Sequence, residues 1–199
     1  MDKYYQLFPI SVLETNIPVQ QSWMHFIKRQ KFKKMENNTG LYTENNNILN
    51  DMPVLSELIM EKVKHYMFEY MHYQAQATMN FTTSWVNKHL KNGYAPYHDH
   101  VNSLLSGVYY LKVPKNSGII KFKNPSEYIS KTINFPTKLS YIHNCDTYGF
   151  EPKEGMLLLF PSYLEHMVTP SETSEDRYSL AFNTFVSGSF GQGVNFINI

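Results

Sequence analysis

The hydrophobic pattern of the chain changes period after Tyr73, from a helical repeat to an alternation typical of strands. Before that point, Trp23, Phe26 and Ile27 predict an amphipathic helix over about 19–35. Pro53 begins a second predicted helix, whose apolar face carries Leu55, Leu58, Ile59, Val63, Tyr66, Met67 and Tyr70. Residues 7–12 predict an edge strand, where a proline is tolerated, and the polar run 36–50 predicts a loop.

The second part of the chain predicts many short strands. The candidates, separated by Gly, Pro and Asn, are residues 81–86, 93–98, 104–113, 118–122, 138–143, 148–152, 156–160, 166–169 and 178–186. Short strands preceded by helices predict a mainly β fold with flanking helices. We expect a double-stranded β-helix, or cupin-like jelly roll, with the N-terminal helices packed on one sheet.

The length of 199 residues fits one domain. Within 1–199 we expect an N-terminal strand and supporting helices over 1–79, a jelly-roll core over 80–186 and a C-terminal tail over 187–199. The glycines at 188, 191 and 193 predict a flexible tail.

Three histidines form a candidate metal site. His98 and His100 are two residues apart, so on a strand their imidazoles share one face while Asp99 points away. His166 follows the apolar run 156–160 and is the candidate third ligand. Three ligands on one face leave open positions, which an iron(II) oxygenase needs for a cosubstrate and dioxygen. The other histidines, His25, His65, His72, His89 and His143, are interpreted as partly exposed residues of helices and loops.

Arg177 and Ser179 form a candidate acid-binding site. They lie two residues apart on one predicted strand, and a guanidinium holds a carboxylate through two parallel hydrogen bonds, to which a hydroxyl adds a third. The pattern indicates a small dicarboxylate. Asn183, further along the same face, is interpreted either as lining the substrate side of the pocket or as a structural amide.

These motifs resemble the iron(II)/2-oxoglutarate-dependent oxygenases. The resemblance covers about half of the chain, residues 80–185; its order matches the prolyl-hydroxylase-like branch, and its strands are most similar to small phage and bacterial members. It implies Fe(II), 2-oxoglutarate and O₂, hydroxylation of a small-molecule or peptide substrate, and release of succinate and CO₂. It also implies that His98 and His166 are iron ligands, and that Arg177, Ser179 and Tyr110 hold the distal carboxylate of 2-oxoglutarate.

The chain departs from the family pattern at one ligand. The family has His-x-Asp followed by His, whereas His100 stands where the aspartate is expected. A neutral imidazole leaves the ferrous site one negative charge short, so we expect weaker iron binding. In an alternative arrangement, a bulge turns Asp99 inward as the ligand. The rival interpretation of the whole chain is a jelly-roll protein that binds metal through histidines without oxidising a substrate, or without 2-oxoglutarate. Arg177 distinguishes the two, because such a protein needs no arginine directed at a buried carboxylate.

The composition of the chain narrows the range of expected partners and compartments. A net charge of +1 with 18% charged residues provides no clear nucleic-acid surface, and the basic run 28–34 is interpreted as a solvated helix face. A single cysteine, Cys145, excludes an intramolecular disulfide and fits a reducing compartment. No leader pattern or membrane span is evident. We expect a cytoplasmic protein of a bacterial or phage-infected cell; the sequence leaves the oligomeric state open, a homodimer included.

Overall fold

The computed structural model describes residues 2–35, 40–73, 77–126, 132–133, 136 and 138–199. Within them the longer strands, in chain order, are β1 (Leu13–Asn16), β2 (Phe32–Lys34), β3 (Leu41–Thr43), β4 (Thr78–His89), β5 (Ala95–His98), β6 (Leu105–Lys112), β7 (Ile120–Lys123), β8 (Thr147–Phe150), β9 (Met156–Pro161), β10 (His166–Val168) and β11 (Arg177–Ser187). The helices are α1 (Gln21–Lys28) and α2 (Pro53–Lys64), and α2 continues as a π-helical turn at His65–Tyr70.

Two antiparallel sheets form the predicted jelly roll. The larger has the order β1-β9-β6-β11-β4-β3-β2, and the smaller has the order β5-β10-β7-β8. Neighbours in space are distant in sequence, as when β11 pairs with both β4 and β6. The mainly β fold class with flanking helices is therefore confirmed.

The central strands of the larger sheet, β9, β6 and β11, are buried on both faces. On β9, Leu157 and Leu159 join the cluster under the helices, whereas Leu158 and Phe160 join Ile120 and Phe122 of the smaller sheet. This division follows from the period of two along a strand. The cluster that contains Leu158 and Phe160 fills the space between the sheets, next to the candidate site.

Both helices pack on the larger sheet, as predicted. Trp23 and Ile27 of α1 and Leu55, Ile59 and Val63 of α2 are buried in the same cluster as the outer face of that sheet. Pro53 occupies the first turn of α2, where its missing N–H costs no hydrogen bond. No helix of the described residues is long and apolar enough to cross a membrane.

Several predicted element boundaries were wrong, because pairing between strands decides where these elements begin and end. The edge strand is β1 rather than residues 7–12, because pairing with β9 begins only at Leu13. The first helix ends at Lys28, since Phe32–Lys34 pairs with Leu41–Thr43 and extends the sheet into the predicted loop. Of that loop, residues 36–39 lie outside the described residues.

The predicted strand at 138–143 is a turn. Asn144 Oδ1 accepts a hydrogen bond from the Tyr141 amide at 2.6 Å, and Asn144 Nδ2 donates to Leu139 O at 3.0 Å. Such local side-chain bonds to the backbone compete with strand pairing. The predicted flexible tail instead contains the strand pair β12 (Ser189–Phe190) and β13 (Ile197–Asn198).

Candidate metal and carboxylate site

The structure brings the three predicted histidines together. His98 ends β5 and lies directly opposite His166 of β10, while His100 follows just beyond the end of β5. The ligand atoms of His98, His100 and His166 all lie within 4.8 Å of one another. The spacing of these imidazole nitrogens suits a single transition-metal ion.

Hydrogen bonds orient two of these rings. The Nδ1 atoms of His98 and His166 lie 2.8 Å and 2.9 Å from the carbonyl oxygens of Pro96 and Leu164, respectively. A carbonyl only accepts, so we assign the proton to Nδ1 in both rings. The Nε2 lone pairs then remain free for a metal, an arrangement typical of metal-binding histidines.

Burial keeps the His100 and His166 imidazoles neutral. Burial, and then the neighbouring His98, lower the pKa of His166 to about 3 and that of His100 to about 4. Phe160 and Phe122 lie against the His166 ring, at centroid distances of 4.8 Å and 5.6 Å. Neutral imidazole is the form that binds a metal ion, so protons do not compete with metal near pH 7.

Asp99 lies outside the metal group. The backbone N–H of His100 donates to Ser162 O at 3.0 Å, which ties the residue to the end of β9. With this backbone, the His100 ring lies 5.2 Å from the His166 ring, and the Asp99 side chain is exposed. The geometry therefore favours His100 over Asp99 as the third ligand.

Arg177 is the largest fully buried side chain of the described residues and is only 1% exposed. Its Nη1 donates to Ser117 O at 3.0 Å and Gly118 O at 3.1 Å, and its Nη2 donates to Nδ1 of His89 at 2.7 Å. Its Nε has no hydrogen-bond partner. Within the described parts of the chain, no carboxylate forms an ion pair with this guanidinium.

His89 is the residue that sequence reasoning missed. It was interpreted as partly exposed, but it is 2% exposed on β4, directly opposite Arg177 of β11. Burial, and then the Arg177 charge, lower the pKa of His89 to about 3, so its Nδ1 accepts the bond from Arg177. The alternation along 81–86 was the signal available for this residue. If that strand is continued by three residues, His89 becomes a strand residue rather than a residue of a loop.

Gly118 shapes the cradle of Arg177. Its φ is +84°, and a Cβ atom there would lie 2.3 Å from Thr169 O. Only glycine adopts this conformation without strain in so little space. The backbone can therefore present the carbonyls of Ser117 and Gly118 to the guanidinium.

Ser179 and Tyr110 lie beside Arg177, as predicted. Ser179 is on the same face of β11 and pairs directly with Tyr110 of β6. The Arg177 guanidinium lies over the Tyr110 ring, 5.8 Å from its centroid. Burial raises the pKa of Tyr110 to about 12, with Arg177 opposing the shift, so the phenol stays protonated.

Asn183 is tied to its own sheet. Its Oδ1 accepts a hydrogen bond from Ser106 Oγ at 2.7 Å, and its Nδ2 donates to Thr83 Oγ1 at 3.0 Å. The Ser106 hydroxyl also contacts Ser162 Oγ at 2.8 Å. Because both ends of the amide are occupied, the structural interpretation of Asn183 fits these contacts better than a substrate contact.

A cavity of about 970 Å³ opens beside the metal group. His100 and Asp99 form part of its wall, together with aromatic and thioether side chains of the π-helical turn and the C-terminal segment. Its size is at the upper end of ordinary small-molecule sites, which span roughly 300–1,000 Å³. A substrate bound here would lie next to His100.

The sequence and the fold are similar to those of known proteins. Residues 83–183 match the model of a family described as "Putative 2OG-Fe(II) oxygenase". Among solved structures, HygX from Streptomyces hygroscopicus, with nickel, 2-oxoglutarate and hygromycin B bound, is similar with a TM-score of 0.61 and 13% identity, covering 88% of this chain and 82% of that one.

Two further structures show the same fold. An oxidoreductase of the 2OG-Fe(II) oxygenase family from Burkholderia pseudomallei has a TM-score of 0.58 and 12% identity, with 82% of this chain and 75% of that one covered. A Pseudomonas putida prolyl-4-hydroxylase has a TM-score of 0.57 and 12% identity, with 87% and 92% covered. No curated protein matches the sequence.

Proposed function

This chain belongs to the family of 2OG-Fe(II) oxygenases, and from that membership we propose that His98, His100 and His166 hold the ferrous ion while Arg177 holds 2-oxoglutarate. Enzymes of this family depend on Fe(II), 2-oxoglutarate and O₂. When bound, the iron would activate O₂ for oxidation of a substrate C–H bond, coupled to conversion of 2-oxoglutarate into succinate and CO₂. We propose hydroxylation as the outcome.

The uncompensated guanidinium of Arg177 carries this proposal. A charge this deeply buried is rarely left without a partner of opposite charge. The acceptors that the described residues supply to the group are all neutral: two carbonyls for Nη1 and the His89 ring for Nη2. The Nε–H remains unpaired, and it lies on the guanidinium edge that it shares with Nη2. That edge fits a carboxylate through two parallel hydrogen bonds.

Ser179 and Tyr110 complete the proposed clamp. Both are hydroxyl side chains on the inner face of the larger sheet, and the phenol of Tyr110 stays a donor because its pKa is raised to about 12. A carboxylate gains from such charge-assisted bonds where water is excluded. We propose that these three side chains select 2-oxoglutarate by its distal acid and fix its orientation.

The His triad fits a ferrous ion by the chemistry of its donors. Three imidazoles meet at one point, and two of them are held by carbonyls through Nδ1. A facial set of three ligands leaves sites for the cosubstrate and O₂. His100 makes this set neutral where the family has an aspartate, so the protein compensates less of the ion's charge.

The aromatic shell around His166 has a separate task. Phe160 and Phe122 cover this ring and pack against each other at 4.9 Å between centroids. Such a wall keeps bulk water from one side of the metal position, which limits side reactions of an oxidising site.

Turnover in the absence of a known substrate tests the proposed function. Purified protein with Fe(II), ascorbate and O₂ should convert 2-oxoglutarate slowly into succinate, measured by mass spectrometry. His166→Ala should abolish this conversion, because the two remaining imidazoles bind iron poorly. His143→Ala, which changes an exposed histidine outside the site, is the matched control and should behave as wild type. Absence of both 2-oxoglutarate binding and succinate in the wild type would contradict the proposal.

We also propose that the protein works in the cytoplasm, of a bacterial or phage-infected cell. The support is compositional: Cys145 is the single cysteine of the chain and is a free thiol. Such usage fits a reducing compartment. Fractionation of the producing cells, followed by immunoblotting, tests this location.

A further inference from the structure

The cavity beside His100 has a distinctive lining. Tyr66, Met67 and Met71 come from the π-helical turn after α2, and Phe190 comes from the C-terminal strand pair. Tyr163, which follows β9, is 62% exposed at this cavity. Tyr66 and Met67 are mostly buried behind this surface, whereas Met71 and Tyr163 are exposed. A concave site lined by large apolar and aromatic side chains is typical of a ligand-binding surface.

The formal charge among the described lining residues of this cavity is negative. Asp99 is the one acidic side chain among the described lining residues, and these residues include no lysine or arginine. Asp99 forms no ion pair with another described residue. An exposed carboxylate without an ion pair attracts a positive group and repels an anion.

The aromatic wall has the same preference. The faces of tyrosine and phenylalanine rings carry partial negative charge and attract cations. Tyr66 also stays uncharged, since burial, with Tyr70, Tyr163 and Tyr73 nearby, raises its pKa to about 12. Its hydroxyl donates to Ser11 O at 2.8 Å, which holds the ring in the wall. The thioethers of Met67 and Met71 adapt to ligands of different shape.

We infer that this cavity receives a largely apolar or aromatic small-molecule substrate that bears a cationic amine, with the amine at Asp99 and the apolar part against the Tyr66, Met67, Tyr163 and Phe190 wall. The inference rests on the proposed function, because it makes this cavity the substrate side of the same site. Asp99 lies between His98 and His100 in sequence, so it would hold the amine near the metal position. Asp99 is thereby a specificity residue rather than a metal ligand.

A matched set of indoles tests the inference. Tryptamine, tryptophol and indole-3-propionate share an indole ring with a short side chain. They carry a positive charge, no charge and a negative charge, respectively. Calorimetric titration into protein loaded with Ni(II) and 2-oxoglutarate should show tryptamine binding about two- to fivefold more tightly than tryptophol, with indole-3-propionate weakest, the range expected of a partly exposed ion pair. Ni(II) avoids turnover, so affinity is read directly.

Variants separate the contribution of charge from that of shape. Asp99→Asn should remove the advantage of tryptamine and leave the affinity for tryptophol unchanged. Glu57→Gln, an exposed carboxylate of α2 away from the cavity, is the matched control and should change neither affinity. Tyr163→Ala should weaken all three indoles by a similar factor.

The outcomes distinguish this inference from the proposed function. Equal affinity for the three indoles, preference for the anion, or an unchanged preference in Asp99→Asn would overturn the inference. Binding of 2-oxoglutarate, titrated first in the same samples, would still support the proposed function in each of those cases. Failure of that first titration would instead contradict the proposed function.

Discussion

The buried guanidinium of Arg177 donates to two carbonyls and to His89, while its Nε–H has no acceptor. Arg177→Ala should weaken 2-oxoglutarate binding by at least about thirtyfold, because removing a buried, charge-assisted contact costs roughly 2–5 kcal/mol. Calorimetry with Ni(II)-loaded protein measures this, and metal affinity should barely change. Arg29→Ala, an exposed arginine at the end of α1, is the control. Ser179→Ala and Tyr110→Phe should each cost less, about 0.5–3 kcal/mol. Equal affinity in all variants would show that Arg177 is structural.

His100 is the residue at which the chain departs from its family. We expect His100→Asp to tighten binding of a divalent ion, since a carboxylate compensates charge that an imidazole does not. Competition with a metal-binding dye under argon measures the affinity, and circular dichroism checks the fold. If the variant binds no metal although folded, His100 has another role.

His89 holds Arg177 rather than contacting a substrate. We expect His89→Ala to raise the KM for 2-oxoglutarate with a smaller effect on kcat, because Nη2 loses its 2.7 Å acceptor and the guanidinium becomes free to turn. His89→Asn retains an acceptor and should restore part of the affinity. Steady-state succinate formation at varied 2-oxoglutarate measures both constants. A change confined to kcat, or no rescue by asparagine, would contradict a positioning role.

At the level of the elements, β6 is packed so closely against its neighbours that Gly107 leaves no room for a side chain. A Cβ atom at Gly107 would lie 2.3 Å from the Phe182 ring and 2.8 Å from Leu159. Gly107→Ala should therefore destabilise the protein by about 1–3 kcal/mol through overpacking. At Gly149 of β8 the nearest atom is the end of the Ile119 side chain at 3.2 Å, so Gly149→Ala is the milder control. Urea unfolding at pH 7 measures both, and equal midpoints for the two variants would contradict the packing argument.

The element boundaries show where local patterns were sufficient. The strands at Leu105–Lys112 and Met156–Pro161 lie within a residue of their predicted bounds, because buried alternation and apolar runs leave few alternatives. The predicted first helix included residues 28–34. In the structure Phe32 instead belongs to an edge strand, and its ring packs on Tyr178 at 6.3 Å between centroids. That contact comes from β11, so no local window contains it.

For the whole molecule, the buried histidines make stability depend on pH. An unfolded His89 binds a proton below about pH 6.5, whereas in the folded protein its pKa is about 3, so the unfolded state holds more protons between these values. Stability is fully present above pH 6.5 and falls as the pH decreases through that window.

The same linkage gives a measurable difference. At pH 5, His89 alone should lower the free energy of unfolding by about 2 kcal/mol, from about 1.4 kcal/mol per pKa unit. His89→Gln should therefore lose less stability than wild type between pH 7 and pH 5, measured by urea unfolding of metal-free protein. Equal losses in the two proteins would show that His89 does not titrate in this way.

The fold class and the chemistry of the site could be read from local patterns. Alternation of apolar residues predicted the jelly roll, and the spacings His98-x-His100 and Arg177-x-Ser179 placed each pair on one face, since a strand has a period of two. Neither inference needed contacts between distant residues. The apolar run 156–160 pointed to His166 as the third ligand, and the family resemblance added a role for Tyr110; the structure places both residues where these roles require.

Tertiary structure decided what surrounds those residues. His89 lies 88 positions before Arg177, and only the pairing of β4 with β11 brings their side chains together. The carbonyls of Ser117 and Gly118 reach the same guanidinium through a backbone conformation that a sequence pattern does not encode. The cavity beside His100 is likewise formed by the π-helical turn, β6 and the C-terminal segment together. Burial and the absence of a counter-charge are properties of packing between distant strands. The sequence could therefore name Arg177 but could not show that it is a buried cation without an acidic partner among the described residues.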